Sequence, residues 1–335
     1  MHLTRESITR GTAVVSASPM GIMPVGGGAA PAHSATRPAH TAALRARAHD
    51  FLSLTKPRVL VLVLIATGLG CVMAAASLDV GVLGHAILGT ALVAGGTAAL
   101  NQYLEREPDA RMRRTARRPL PAGRLQPQDV LRFGLGLALA GTVYLAVTLN
   151  LLTSLVGLVA LLSYLLLYTP LKRRSRLCTL VGACPGAAPV LMGWSAVHGD
   201  LTLAAWVLYA ILFLWQFPHF LAIGWLYRED YARASMRMIP AGDGSGRATF
   251  GLIHLTAQAL VAVSFLPTVM GMAGIVYLCA ALLLGVGLLY VVAQAVSERS
   301  VVAARHLLRA TVIYLPLLCL CLGLFRTDPV AGWPL

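Results

Sequence analysis

The chain has 335 residues, 57% of them hydrophobic and only 12% charged, where a soluble domain carries about 25% charged residues. That excludes an ordinary water-soluble fold and points to a polytopic membrane protein. The formal charge of +14 would suggest nucleic acid in a soluble protein. Here the positive-inside rule accounts for it, because the basic residues gather in short loops between apolar runs, and no nucleic-acid partner is expected.

Residues 1–50 are rich in Ala, Gly, Ser, Pro and Arg, with Glu6 and Asp50 their only acids. They hold no apolar run long enough for a signal-peptide core. The composition predicts a disordered cytoplasmic tail; an organellar transit peptide is the alternative. Residues 51–335 form the polytopic domain. A spanning helix needs about 20 apolar residues, and nine segments qualify: 58–78, 83–104, 130–149, 151–169, 177–198, 201–226, 248–268, 273–295 and 308–326. The fold class expected is therefore an all-α membrane protein of nine helices.

Charge sets the topology. Arg45, Arg47, Lys56 and Arg58 precede the first segment, and Arg106 to Arg124 follow the second. Lys172 to Arg176 follow the fourth, Arg228 to Arg247 the sixth, and Arg299 to Arg309 the eighth. The intervening connections contain no Lys or Arg, so only Arg326 falls on the other side. This predicts a cytoplasmic N-terminus and a C-terminus on the far side. The long polar loops, 105–129 and 227–247, share the cytoplasmic face, which is where chemistry is expected.

Four constellations carry that chemistry. In NQYLEREPDARMRRTARRPLPAGR, Asn101, Glu105 and Asp109 stand at i, i+4 and i+8, one face of a helix. Carboxylates with an amide oxygen suit Mg²⁺, which shares such hard ligands with substrate phosphates. The arginines after them, Arg114 and Arg118 among them, suit phosphate oxygens. Pro108 should kink or end the helix and leave Asp109 on irregular backbone. The second constellation is YREDY, where Glu229 and Asp230 form a second acidic pair beside Tyr231. Lys172 and Arg173 of YTPLKRR could hold phosphate at a helix end, or simply anchor topology. Last is WQFPHF, in which Gln216 and His219 are polar residues inside an apolar run. Such residues usually face the bundle interior and mark a substrate path. The six cysteines contain no CxxC and predict neither a disulfide framework nor structural zinc; Cys178 and Cys184 flank a segment start near these motifs.

Together these residues resemble the UbiA superfamily of intramembrane aromatic prenyltransferases, over roughly residues 50–325. The first motif, N-x-x-x-(D/E)-x-x-x-D then M-x-R-T-x-x-R-P-L, is matched by Asn101, Glu105, Asp109, Met112, Arg114, Thr115, Arg118, Pro119 and Leu120. YTPLKR, WQ-x-PHF and LYREDYARA resemble its haem-directed branch. The resemblance implies a nine-helix bundle with a central cavity open to membrane lipid, and Mg²⁺ as the cofactor. It implies transfer of a farnesyl group from farnesyl diphosphate to the 2-vinyl of haem B, giving haem O and diphosphate. By position, Asn101, Glu105 and Asp109 would serve the first metal site, and Asp230 with Glu229 the second. Glu105 stands where many members carry Asp. Arg114, Arg118 and Lys172 would hold diphosphate, with Arg173, Gln216, His219 and Tyr231 as further substrate contacts. A haem A synthase or terminal-oxidase assembly factor would be a fitting partner. The bacterial inner membrane is the expected location, ahead of the mitochondrial one. Two other readings compete: a relative that prenylates a quinone or chlorophyll precursor, and a transporter of an anionic lipid or metabolite.

Overall fold

A computed structural model describes residues 36–327. The chain divides into two units, Met1–Ala43 and Leu44–Leu335. Of the first, only the opening turns of the helix Thr36–Leu54 are described; the rest of the expected tail, residues 1–35, lies outside the described residues. Residues 36–50 are helical, where the composition had predicted disorder. The second unit carries the site.

Backbone N–H and C=O groups have no water to bond to in lipid, so spanning segments must satisfy them internally. Among the described residues the chain does this with nine long apolar helices: α1 Pro57–Ala74, α2 Val80–Leu104, α3 Pro127–Thr148, α4 Leu151–Leu171, α5 Cys178–His198, α6 Leu203–Leu226, α7 Arg247–Val269, α8 Ile275–Glu298 and α9 Val301–Leu324. These match the nine expected segments. The largest difference is the start of α9, seven residues earlier than expected. Arg305, His306 and Arg309 had masked it, and all three are exposed on the helix surface, where long basic side chains can snorkel.

The helices pack in sequence order: α1 on α2 and α5, α2 on α3, α4 on α5, α5 on α6, α6 on α7 and α9, and α8 on α7 and α9. Helices in lipid approach closely through small residues. The α1–α5 crossing depends on Gly70 and Gly193: a Cβ on either would overlap the backbone carbonyl of Val190 or Thr67. The two most buried spanning helices are α5 and α6, which form the back wall of a central cavity of about 470 Å³. Arg326, the exception to the charge asymmetry, caps the end of α1, where its guanidinium donates to the carbonyls of Val72 and Ala75.

α4 departs from α-geometry at Ser163–Tyr168, a π-helical turn. Such turns insert one extra residue and often accompany functional sites. This one brings Tyr164, Tyr168 and Lys172 to the same cavity. The Tyr168 ring occupies the space that a side chain at position 182 would need, so Gly182 admits it.

Candidate active site

The cavity is apolar along α1, α2, α5 and α6 and closes at the basic face over a cluster of charges. Asn101 sits in the last turn of α2, and Glu105 caps that helix. A short helix, Arg106–Arg111, then restarts the chain. The backbone bonds Glu105 N–H to Asn101 O (2.9 Å) and Asp109 N–H to Glu105 O (2.8 Å) carry the i+4 spacing across the break. All three side chains therefore line one cavity. Pro108 lies in the first turn of the new helix, where its missing N–H costs nothing. Asp109 is thus helical, correcting the expectation of irregular backbone.

Each of these oxygens faces a cation. Lys56 Nζ donates to Asn101 Oδ1 at 3.0 Å, while Asn101 Nδ2 donates to Thr169 Oγ1 at 3.2 Å. Lys172 pairs with Glu105 at 2.8 Å and Arg118 with Asp109 at 2.6 Å. Lys172 also lies over the Tyr168 ring, 4.4 Å from its centroid. Burial pushes Glu105 up, but the charge and hydrogen bond of Lys172 outweigh it and hold the carboxyl below its ordinary value. Asp109 goes the other way, because burial outweighs the Arg118 contact. Burial, then repulsion from Arg118 and Lys172, holds the Lys56 ammonium down to about 8.

The second acidic motif is placed differently. Asp230, in the short helix Arg228–Arg233, is buried but does not line the cavity. Its carboxylate accepts the backbone N–H groups of Arg113 and Arg114, at 3.4 and 3.3 Å, and pairs with Arg233. It thereby fastens the two long loops together and fixes Arg114. The Arg114 guanidinium donates to the Tyr231 hydroxyl at 3.0 Å and lies over the Tyr227 ring, 4.6 Å from its centroid. Glu229 and Arg173 are exposed and outside the cavity lining, away from the positions the sequence reading gave them. Cys178 is buried near Met112 and Tyr231, whereas Cys184 is exposed.

Lys56 is the residue that sequence reasoning missed, having counted it only as a topological charge. Its backbone is left-handed (φ 52°) just before Pro57, a strained conformation for a non-glycine residue. The K-P pair at a helix start was the available signal: proline disfavours helical backbone at the residue before it, and Lys56 leaves the helical path there.

Deeper in the cavity the polar groups are neutral. Gln216 Nε2 donates to the carbonyls of Ala183 (2.9 Å) and Leu212 (3.3 Å). His219 Nδ1 lies 3.0 Å from Thr311 Oγ1. The imidazole stacks on Trp215 at 4.6 Å, and the Trp215 indole N–H donates to Thr311 O at 2.8 Å.

Among the described residues no three His, Cys, Asp or Glu side chains converge as a metal cage. The donor chemistry nevertheless fits Mg²⁺, which commonly takes one or two carboxylates and completes its shell with water and substrate phosphate. Asn101, Glu105 and Asp109 supply hard oxygens at the cavity mouth. Around them stand four cations, Lys56, Arg114, Arg118 and Lys172, against two carboxylates in the lining. That surplus favours a polyanion at the mouth, with an apolar chain below it.

A family model described as the UbiA prenyltransferase family matches residues 61–325. The chain is similar to the protoheme IX farnesyltransferase of Solibacter usitatus, 48% identical over 80% of this chain and 96% of the relative. It is also similar to that of Koribacter versatilis, 42% identical over 83% and 93%. Among solved structures, a digeranylgeranylglyceryl phosphate synthase superposes with a TM-score of 0.69 at 16% identity, covering 83% of this chain and 97% of the other. A UbiA homologue from Archaeoglobus fulgidus, bound to GPP and Mg²⁺, superposes with a TM-score of 0.58 at 12% identity, covering 82% and 99%. These last two likenesses concern the fold alone. With the family model spanning most of the chain and relatives this similar over most of their length, the chain belongs to the UbiA prenyltransferase family.

Proposed function

We propose that this chain transfers a farnesyl group from farnesyl diphosphate to the 2-vinyl group of haem B, giving haem O and diphosphate. The observation that carries the reading is the 48% identity to a protoheme IX farnesyltransferase over 96% of that relative. The site supports it: a cation-rich mouth with hard oxygen donors sits above an apolar cavity of about 470 Å³, which suits a charged leaving group with a lipophilic tail.

In this proposal Arg114, Arg118, Lys172 and Lys56 bind the diphosphate and hold it at the mouth. Asn101, Glu105 and Asp109 hold Mg²⁺, which when bound would stabilise the charge that develops on the departing diphosphate. Asp230 is the second acid of the proposal, and Tyr231 and Asp230 together fix Arg114. Glu229 and Arg173, being exposed, are left at the rim. The fixed cations need no reorganisation as the bond to diphosphate breaks, the condition under which electrostatic stabilisation is most effective. The apolar walls of α1, α5 and α6 keep bulk water from the developing allylic cation. The charge asymmetry supports a cytoplasmic mouth and a bacterial inner-membrane location.

The acceptor is tested by competition. Purified protein is given farnesyl diphosphate, Mg²⁺, haem B and a quinone-ring precursor together, and the products are weighed by mass spectrometry. Farnesylated haem is expected. Prenylated quinone precursor without farnesylated haem would move the chain to another branch of the family.

A further inference from the structure

Farnesyl transfer to a vinyl group leaves a problem that the mouth does not solve. The terminal vinyl carbon attacks C1 of the farnesyl group, and the C1–O bond breaks with its electron pair leaving on diphosphate. The vinyl carbon next to the porphyrin ring is then a cation. Haem O carries a hydroxyl there, so one water must be admitted to a cavity whose walls exclude it.

The hydrogen bonds at the deep wall point to where that water is held. Thr311 gives its only hydroxyl proton to Leu308 O at 2.8 Å. Its oxygen can then only accept, so His219 Nδ1, at 3.0 Å, must be the donor. Nε2 is left as the basic nitrogen, with a lone pair and no hydrogen-bond partner among the described residues. The stack on Trp215, itself bonded to Thr311 O, fixes the ring. One turn earlier, Gln216 spends its N–H groups on Ala183 and Leu212 and leaves Oε1 without a partner. That oxygen packs against Gly186, where a Cβ would overlap it. Residues three apart share a helix face, and both line the cavity. His219 lies seven residues, about 10 Å along the axis, inside the end of α6, below the charged mouth.

Two unpartnered acceptors, one turn apart on α6 and both on residues that line the cavity, suit a water that donates a proton to each and turns its lone pair outward. We propose that Gln216 Oε1 and His219 Nε2 hold the water that quenches the vinyl cation, with His219 as the base. The water oxygen bonds to the cationic carbon, and one of its protons passes to Nε2. Thr311 acts through His219 as a positioning residue that sets the tautomer. This rests on the haem-farnesylating reading.

The test is the product ratio of His219→Asn, with wild type run in parallel on haem B, farnesyl diphosphate and Mg²⁺. Without the base the cation loses a proton from the neighbouring carbon instead, giving a farnesylated alkene lighter by one water. The alkene-to-alcohol ratio should rise roughly ten-fold or more, at the low end of what a positioned general base contributes. Thr311→Val should raise it less, because the imidazole remains but can take the other tautomer. No farnesylated haem from wild type would sink the functional reading itself. Wild-type activity with an unchanged ratio in both variants would overturn the inference. So would total loss of farnesylated haem from folded His219→Asn, because a group acting after carbon–carbon bond formation should not abolish it. A shifted Soret band of bound haem in that variant would mark His219 as an iron ligand and would also overturn it.

Discussion

The mouth and the deep wall of the cavity are both polar but are built on opposite rules. At the mouth, charges pair with charges: Lys172 with Glu105 and Arg118 with Asp109. At the wall, neutral groups hydrogen-bond to backbone carbonyls and to one another, and Gln216, Trp215 and Thr311 have their protons committed. Ion pairs can be re-partnered by an incoming metal and diphosphate, at a cost offset by the new contacts. A wall of committed hydrogen bonds cannot re-partner cheaply, because a buried polar group left unbonded costs about 1–3 kcal/mol. The mouth is therefore suited to exchanging ligands and the wall to holding one geometry.

The sharpest way to break this contrast is at Asp109. Asp109→Ala is expected to lower kcat/KM by about 100-fold or more, comparable to losing one major electrostatic contact to a developing charge. It should still insert and fold, because Arg118, its partner, is partly exposed and can turn to water. Normal turnover by well-expressed variant protein would remove Asp109 from the site.

Lys172 tests whether the mouth's pairs matter for stability as well. Lys172→Met leaves Glu105 as an uncompensated buried charge, a loss of about 3–5 kcal/mol by analogy with broken buried pairs. It should appear as a lower Tm in detergent. Adding Glu105→Gln to the same protein should restore most of the Tm but none of the turnover. A double variant no more stable than the single would show that the pair is not energetically coupled.

Asp230 separates two roles. If it mainly fastens the loops, Asp230→Asn, whose amide oxygen can still accept an N–H from Arg113 or Arg114, should keep far more activity than Asp230→Ala. If it mainly holds metal, the two variants should be equally poor. Measured Mg²⁺ dependence of turnover in both decides the matter.

Lys56 gives a smaller effect with a pH signature. Its ammonium is held down to about 8, so it is charged below that pH and loses its charge as pH rises through it. The kcat/KM for farnesyl diphosphate should therefore fall as pH rises through about 8, and Lys56→Arg should abolish that fall, because arginine stays charged. A fall that persists unchanged in Lys56→Arg would assign it to another group. The smallest effect belongs outside the cavity. Arg47→Ala removes an ion pair with Asp129 whose arginine is 61% exposed, and such pairs are typically worth less than about 1 kcal/mol. Turnover and Tm should barely change.

The same contrast explains what was legible in the sequence. The nine helices could be read because lipid leaves the backbone no alternative, so long apolar runs alone mark them; only α9 hid its start behind Arg305 and Arg309. The first acidic motif could be read because its spacing survives the break at Glu105. Lys56 could not, since a lysine in a basic flank looks the same whether it faces water or turns into the cavity. The separate fates of Asp230 and Glu229 were also hidden. They are adjacent in a short helix, and only the docking of the 105–129 loop decides which one is buried. The π-turn in α4, which brings Tyr164 and Tyr168 to the site, leaves no mark in an apolar run.

The most direct test of the whole is incubation of purified protein with haem B, farnesyl diphosphate and Mg²⁺, with and without a chelator, read by mass spectrometry. Haem O formed with Mg²⁺ and lost on chelation is the expected result. Haem O formed equally well in the chelator would contradict the metal–diphosphate mouth, and no farnesylated haem from folded protein would contradict the assigned reaction.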